Sequence, residues 1–219
     1  MKSLIQAAHD GDIAQIQKCI DNRPYVVNKE ESWGAWITSS LAREQILIKD
    51  YINSQKDKDG VTALTYALIN GHISVAKLLI EQGADINMPN NYGHTPLILL
   101  VLNWNKEGLK FLLEHGAEVN HKNTQDKTAL MLCANNDQAK LLLDNGAEVD
   151  LQDNKGNTAF RHALANGRMP VAKFLMEQGA DINIPNNDGD TALLIHSQLG
   201  KMTNVEFLLA HGVDANHKN

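Results

Sequence analysis

Aromatic residues are scarce in this sequence, and their scarcity limits the kind of core that it can build. Phe, Tyr and Trp together make up 5% of the 219 residues. Aromatic side chains bury more area per residue than any others. Small aliphatic side chains are therefore expected to form the core.

Cysteine is also scarce. The chain has 2 cysteines, Cys19 and Cys133, which lie on apolar faces far apart in the sequence. Their spacing suits neither a disulfide framework nor a zinc knuckle. This pattern fits a reducing compartment.

Long hydrophobic runs are missing. No 18 apolar residues follow one another, and polar residues interrupt the N-terminal stretch MKSLIQAAHDGDIAQIQKCI every few positions. The sequence predicts a cytoplasmic protein without membrane insertion. The alternative is an effector that is exported without a classical signal peptide.

Sequence signals for nucleic-acid binding and for catalysis are absent as well. The formal net charge is -6, and no stripe of Lys and Arg is present to neutralise phosphates. The patterns G-x-x-x-x-G-K-[ST], G-x-G-x-x-G, G-x-S-x-G and H-E-x-x-H do not occur. We expect no enzyme, no catalytic residue, no cofactor, no metal site and no nucleic-acid partner.

The sequence does contain a repeated stretch. The segment VAKLLIEQGADINMPNNYGHTPL, residues 75–97, has four further copies toward the C-terminus. One glycine of each copy sets the period at 33, 30, 33 and 33 residues: Gly83, Gly116, Gly146, Gly179 and Gly212. Such a period is typical of stacked supersecondary units and predicts a solenoid.

The repeats resemble those of the ankyrin family. The clearest copy carries Asp57, Gly60, Thr62, Gly71-His72 and residues 83–87, and the next copy carries Thr95-Pro96-Leu97. The resemblance covers residues 57–219 without a gap and residues 1–56 weakly, as in stand-alone ankyrin proteins of bacterial type. It implies an all-α solenoid of stacked antiparallel helix pairs with protruding β-turn or hairpin fingers.

The period also predicts the domain organisation, which is one continuous solenoid. Five repeats are expected at 57–89, 90–122, 123–152, 153–185 and 186–219. Residues 1–56 are expected to form an N-terminal cap with degenerate repeats. Within it, residues 24–56 suit either one long helix or two short ones. Trp33 and Trp36 either cover an irregular junction there or form a binding hot spot.

Local signals predict the frame of each repeat. A threonine should cap each first helix: Thr62, Thr95, Thr128, Thr158 and Thr191. Leucine or phenylalanine pairs should form the core ladder of the second helices. Asp126 stands where the other units have glycine, so that turn is expected to be altered or strained if it needs a positive φ. The histidine of the family's T-P-L-H step is replaced, which favours apolar stacking over hydrogen bonds between repeats.

The resemblance implies a function in protein binding. Ankyrin repeats generally bind protein partners on a concave face made by fingers and first helices, and the residues that vary between copies lie at the finger tips. These candidates are Lys58, Asp59, Val61, Asn91, Tyr92, His94, Thr124, Gln125, Lys127, Asn154, Lys155, Asn157, Asn187, Asp188 and Asp190. We expect a monomer that binds a protein partner. The alternative is an accessory, inhibitory or effector subunit that acts on an enzyme or toxin.

Overall fold

The fold is all-α, as the repeats predict. A computed structural model describes residues 3–22 and 40–216. Trp33 and Trp36 lie outside the described residues. The described helices are α1 Leu4–Asp10, α2 Ile13–Asp21, α3 Ser40–Ser54, α4 Ala63–Ile69, α5 Ile73–Glu81, α6 Pro96–Leu102, α7 Lys106–Glu114, α8 Ala129–Leu132, α9 Asn136–Asp144, α10 Ala159–Ala165, α11 Met169–Glu177, α12 Ala192–Gln198 and α13 Met202–Ala210. No helix in these ranges is both long enough and apolar enough to cross a bilayer.

The chain divides into two compact units, residues 1–117 and residues 118–219. In the first unit, α4 packs against α1, α5 and α6. In the second unit, α10 packs against α8 and α11, and α9 packs against α11. Each unit is therefore built from helix pairs whose first helices contact one another, which is the arrangement expected of stacked repeats.

Fewer residues of the second helices are fully buried than the predicted core ladder contains. Only the residue four positions before each period-setting glycine is completely buried in every repeat: Leu79, Leu112, Leu142, Leu175 and Leu208. Its neighbours in the predicted pairs, Leu78, Leu113, Leu141, Leu143 and Phe174, are half-buried, and Leu209 is 54% exposed. The prediction was wrong for these neighbours because one position per turn faces the first helix, whereas adjacent residues rotate away from it.

Threonine caps begin four of the five first helices. Thr62, Thr95, Thr158 and Thr191 each accept a hydrogen bond from the backbone N–H three residues later. Thr128 makes no such bond, so the prediction was wrong for that repeat. Helix α8 has only 4 residues, against 7 in the other first helices of the five repeats. This repeat is three residues shorter than the others, and the shortening falls in its first helix.

Positive φ angles occur where the chain turns, as the glycines predict. Asp126 adopts φ 57° at the finger position that is glycine in the other repeats, which shows that the turn does require a positive φ. Trp104 adopts φ 59° between α6 and α7, where the other full-length repeats have Gly71, Gly167 and Gly200. Its side chain is 61% exposed. No pattern in the sequence predicts a positive φ at this tryptophan.

The described part of the segment before Asp57 contains the helix α3, and residues 24–39, the rest of the stretch for which one long helix or two short ones were predicted, lie outside the described residues. Near the end of α3, Asn53 donates from Nδ2 to the Gly83 carbonyl at 3.0 Å and accepts from the Asp85 N–H at 2.8 Å. In the second unit, Asn120 makes the same two bonds to Gly146 and Glu148. Asn53 therefore closes a repeat although the usual Gly-Ala pair is missing before it.

Candidate functional site

Each finger begins at an Asp or Asn whose side chain fixes the turn. In the first unit, Asn90 Oδ1 accepts hydrogen bonds from the N–H groups of Tyr92 and His94 at 3.0 and 2.9 Å. The same two bonds, to the second and fourth residues that follow, are made by Asp57, Asn123, Asp153 and Asn186. Asp and Asn are the residues that form such side-chain turns. All five fingers thus share one backbone conformation at the base.

Backbone hydrogen bonds join neighbouring fingers within each unit. In the first unit, the Asn91 N–H donates to the Asp59 carbonyl at 2.9 Å. In the second unit, the Asn154 N–H donates to Gln125 and the Asn187 N–H to Lys155, both at 3.1 Å. Two of these asparagines also donate from Nδ2, Asn91 to Lys58 and Asn187 to Asn154, both at 3.0 Å. The side chains of Asn91 and Asn187 therefore align fingers as well as lying at the tips.

The predicted tip residues of the first unit lie on two adjacent fingers. Lys58, Asn91 and Tyr92 are exposed, whereas Asp59, Val61 and His94 are half-buried. Tyr92 is 57% exposed, and the centroid of its ring lies 6.2 Å from that of the His94 ring. Burial lowers the pKa of His94, so the ring is neutral at pH 7. The exposed tips of this unit thus carry one aromatic ring, that of Tyr92, and one cation, Lys58.

The predicted tip residues of the second unit lie on three adjacent fingers. The exposed ones are Thr124, Gln125, Asn154, Lys155, Asn187 and Asp188, and the half-buried ones are Lys127, Asn157 and Asp190. The Asn157 side chain accepts a hydrogen bond from Nε of Arg161 at 3.1 Å. Asn157 thus links the finger to the first helix α10. The tips here are polar and carry both signs of charge.

The identity of the finger base correlates with a residue nine positions later on the first helix. Where the base is Asp, that residue is polar: the Tyr66 hydroxyl donates to Asp57 Oδ2 at 2.7 Å, and His162 Nε2 lies 2.8 Å from Asp153 Oδ2. Where the base is Asn, the corresponding residues are Leu99, Leu132 and Ile195. The second carboxylate oxygen is therefore present only where the first helix can satisfy it.

The pKa shifts of these pairs follow from their hydrogen bonds. Burial raises the pKa of Asp153, but hydrogen bonds from Asn157, His162 and Lys155 outweigh burial and lower it overall. Burial lowers the pKa of His162 despite the adjacent carboxylate. The contact between Asp153 and His162 is consequently a hydrogen bond from a neutral imidazole N–H to a carboxylate at pH 7. The hydrogen bond to Asp57 raises the pKa of Tyr66 to about 12.

Arg161 occupies the position of the family's histidine and restores a hydrogen-bonded link between repeats. It is 6% exposed, and its Nη1 donates to the Asp190 carbonyl at 2.6 Å and to the Ile184 carbonyl at 3.5 Å. The expectation of apolar stacking at this position was therefore wrong for this pair of repeats. The sequence signal was the arginine itself, a long donor among the apolar residues of α10.

The acidic residues after the period-setting glycines act in local turns. Asp85, Asp181 and Asp214 each accept a hydrogen bond from the N–H two residues later at 2.8 to 2.9 Å. Across the part of the chain that the structure describes, no three His, Cys, Asp or Glu side chains are placed to hold a metal ion. Carboxylates used in this way stabilise turns.

Comparison with known proteins agrees with this geometry. A sequence profile of ankyrin repeats in three copies matches residues 4–123 and 130–219. The match begins at residue 4, whereas the repeats are clear in the sequence only from residue 57. Residues 124–129, which contain Asp126, lie between the two matched parts. A curated ankyrin repeat-containing protein of Schizosaccharomyces pombe is 31% identical over 68 residues, covering 29% of this chain and 33% of that protein. The chain thus matches about a third of that relative's length.

Proposed function

Since the chain belongs to the ankyrin repeat family, we propose that it is a non-enzymatic interaction module that binds a protein partner through its finger tips and first helices. Ankyrin repeats are in general protein-interaction modules, and the family is typically non-enzymatic. We assign the binding role to the side of each unit that carries the fingers and the first helices. Its partner is a folded protein or a peptide with mixed polar and charged groups.

One observation carries this proposal, namely that the finger backbones are held in place while the tip side chains are exposed. The base oxygen of each finger accepts two N–H groups, and Asn91 and Asn187 join their fingers to the preceding ones. A loop that is already ordered loses little conformational entropy when it binds. Tyr92, 57% exposed on such a loop, has the properties of an interface anchor.

Quantitative affinity capture tests the proposal. The full chain is immobilised as wild type, as a tip variant with Thr124→Ala, Gln125→Ala and Lys155→Ala, and as a control with Lys110→Ala, Lys140→Ala and Lys173→Ala. The control lysines are exposed on the second helices α7, α9 and α11. Proteins retained by wild type and control but depleted at least about tenfold on the tip variant are the expected result.

The opposite distribution contradicts the proposal. If proteins are retained equally by the tip variant and lost on the second-helix control, the second helices form the binding surface. Circular dichroism and thermal unfolding of all three chains must agree, so that a difference in capture reports binding and not folding.

A further inference from the structure

A small cavity in the second unit lies beside the fingers. It is formed by α10, α12 and the turn that follows α12, and its volume is about 120 Å³. Pockets that enclose a drug-sized ligand or cofactor measure about 300 to 1,000 Å³. This cavity is therefore of a size for one protruding side chain. Asn157 lies in its wall, which joins the cavity to the proposed binding surface.

Arg161 in the cavity wall carries a buried charge without an ion pair. The residue is 6% exposed, and no carboxylate of residues 3–22 or 40–216 lies within ion-pair distance of its guanidinium. The more distant charges of Asp190 and Asp153 favour the protonated form only in part, and burial lowers the pKa of Arg161 overall. A guanidinium buried without a paired anion is costly.

The hydrogen bonds of Arg161 leave one nitrogen available. Nε donates to Asn157 Oδ1, and Nη1 donates to the carbonyls of Asp190 and Ile184. Nη2 makes no hydrogen bond within the described residues. No side-chain nitrogen or oxygen in those residues is both fully buried and without a partner, so Nη2 must reach solvent. Arg161 lines the cavity, and its Nη2 carries two N–H groups that can donate hydrogen bonds.

His196 supplies a further donor to the same cavity. Asn204 Nδ2 donates to the Leu164 carbonyl and lies 3.3 Å from His196 Nδ1. The bond to a carbonyl fixes the amide orientation, so His196 Nδ1 is the acceptor and its ring proton is on Nε2. The Nε2–H has no partner in the described part of the chain. His196 is 5% exposed and lines the cavity together with Lys201, whose side chain is exposed.

The rest of the cavity wall is aliphatic. Ala165, Ile195 and Leu199 line it together with the donors. The cavity thus combines cationic and neutral donors with an apolar wall, in a protein whose net charge is -6. A carboxylate on a short aliphatic stem matches both parts, because arginine binds carboxylates with strong charge-assisted hydrogen bonds and the wall can contact the methylene groups.

We propose that this cavity, lined by Arg161, His196 and Lys201, is a specificity pocket that receives an Asp or Glu side chain of the protein partner. The inference rests on the proposed function and adds to it the chemistry of one partner residue. The partner's carboxylate accepts hydrogen bonds from Arg161 Nη2 and His196 Nε2, and Lys201 adds positive charge at the entrance. The partner thereby supplies the anion that Arg161 lacks in the free chain.

The pocket can be tested with short peptides and the full chain. The probes are the acetylated, amidated tripeptides Ala-Glu-Ala and Ala-Gln-Ala, followed by NMR of the Arg161 Nε–H and His196 ring signals. We expect saturable shifts with the glutamate peptide and binding at least about tenfold weaker with the glutamine peptide, since charge-assisted bonds are about twice as strong as neutral ones. Equal shifts with both peptides, or no saturable shift with either, would overturn the proposal.

Variants locate the binding and separate it from folding. Lys201→Ala should weaken binding of the glutamate peptide several-fold, whereas Lys173→Ala, an exposed lysine on α11, should not change it. Arg161→Lys keeps the charge but loses the fork, and we expect at least about tenfold weaker binding. If that variant does not fold, Ala165→Glu replaces it as the test. This variant places a carboxylate at the cavity wall, and it should abolish peptide binding without lowering the thermal midpoint.

Two further outcomes have defined meanings. If inorganic phosphate displaces the glutamate peptide and binds at least about tenfold more tightly, the pocket is a phosphate site and the carboxylate proposal is wrong. If the peptides fail but affinity capture depends on the finger tips, the pocket is wrong and the proposed function stands. If the peptide binds but no captured protein depends on the tips, the pocket stands and the proposed function is wrong.

Discussion

The two finger contacts of the second unit differ at one residue of the turn. In one contact, the finger with Gly156 meets Asn187 of the next finger, and Asn187 Nδ2 donates to the Asn154 carbonyl. In the other, the finger with Asp126 meets Asn154, whose N–H donates to Gln125. The Asn154 side chain makes no hydrogen bond within the described residues. Both contacts keep the backbone bond, but only the glycine contact has the side-chain bond.

The difference follows from the space beside the turn. A Cβ atom at Gly156 would lie 2.5 Å from both the backbone nitrogen and Oδ1 of Asn187. Asp126 has such a Cβ, and the neighbouring Asn154 makes no side-chain bond there. The turn itself is the same in both fingers, since the N–H groups of Asp126 and Gly156 each donate to the carbonyl of the residue at the finger base at 2.9 Å. Glycine at this position thus leaves room for the side-chain bond from the next finger and adopts the positive φ without strain.

The largest expected effect is the loss of a buried leucine that is present in both the short repeat, residues 123–152, and the full-length repeat, residues 153–185. Leu142 in the short repeat and Leu175 in the full-length repeat are both completely buried. Leu142→Ala and Leu175→Ala should each lower the free energy of unfolding by about 2 to 5 kcal/mol, because each leaves a cavity in the core. Urea denaturation measures both. A cost below that of a surface change such as Lys140→Ala would show that the short repeat lacks the proposed register.

The next largest effect is expected when aspartate replaces the glycine of the full-length repeat's finger. Gly156→Asp should cost about 2 to 3 kcal/mol, because it adds strain at φ 78° and displaces Asn187. Gly167→Asp is the matched control. Gly167 has φ 69°, but a Cβ there meets nothing within 4 Å. It should cost about 1 kcal/mol, the strain alone. Equal losses in the two variants would contradict the role assigned to the close approach.

The pH dependence of stability should also differ between the two fingers. The folded-state pKa of His162 is lowered, so His162 favours the folded chain fully above its unfolded pKa, and this contribution is lost as the pH falls below about 6.5. The pKa of Asp153 is lowered as well, so its contribution is lost only at more acidic pH, below about 4. The finger at Asn123 and Leu132 has neither group.

The variant Asp153→Asn with His162→Leu copies the Asn123 and Leu132 pair into the full-length repeat. We expect it to cost on the order of 1 kcal/mol at pH 7 and to reduce the loss of stability between pH 7 and pH 5. His94 and His196 remain as a common background in both chains. Thermal unfolding at several pH values measures the difference. An unchanged pH profile would mean that the buried imidazole does not titrate with folding.

The smallest effect is the repair of the short repeat. Asp126→Gly should raise the free energy of unfolding by about 0.5 kcal/mol, since it removes the strain of a positive φ but increases the entropy of the unfolded chain. It should also let the Asn154 side chain donate to the preceding finger as Asn187 does. Slower hydrogen exchange of the Asn154 side-chain NH₂ group would demonstrate the new bond. A lower free energy of unfolding would contradict the strain assigned to Asp126.

The sequence predicts the frame of this molecule well because the frame repeats. The period predicts the helix pairs and the turns that need a positive φ, and the threonine that precedes each apolar run predicts the four caps that are observed. The prediction fails where a repeat departs from its copies. Thr128 loses its cap because the missing residues shorten α8, and Trp104 replaces a glycine without any local signal.

The candidate site is harder to predict from the sequence than the frame is. Variation between copies identifies the finger tips, but it cannot distinguish an exposed tip such as Tyr92 from Asn187, which also bonds the preceding finger. The pairing of Asp153 with His162 and the free donors of Arg161 depend on residues brought together by the folding of first helices onto fingers. Such contacts have no spacing signature because the partners lie on different elements.

The most direct test of the central claim is the affinity of a captured partner for two single variants of the full chain. Tyr92→Ala alters an exposed finger tip, and Trp104→Ala alters an equally exposed aromatic between the helices of the same repeat. Isothermal titration should show that Tyr92→Ala weakens binding by at least about 2 kcal/mol, roughly thirtyfold, while Trp104→Ala leaves it unchanged. Loss of binding with Trp104→Ala and normal binding with Tyr92→Ala would contradict the account.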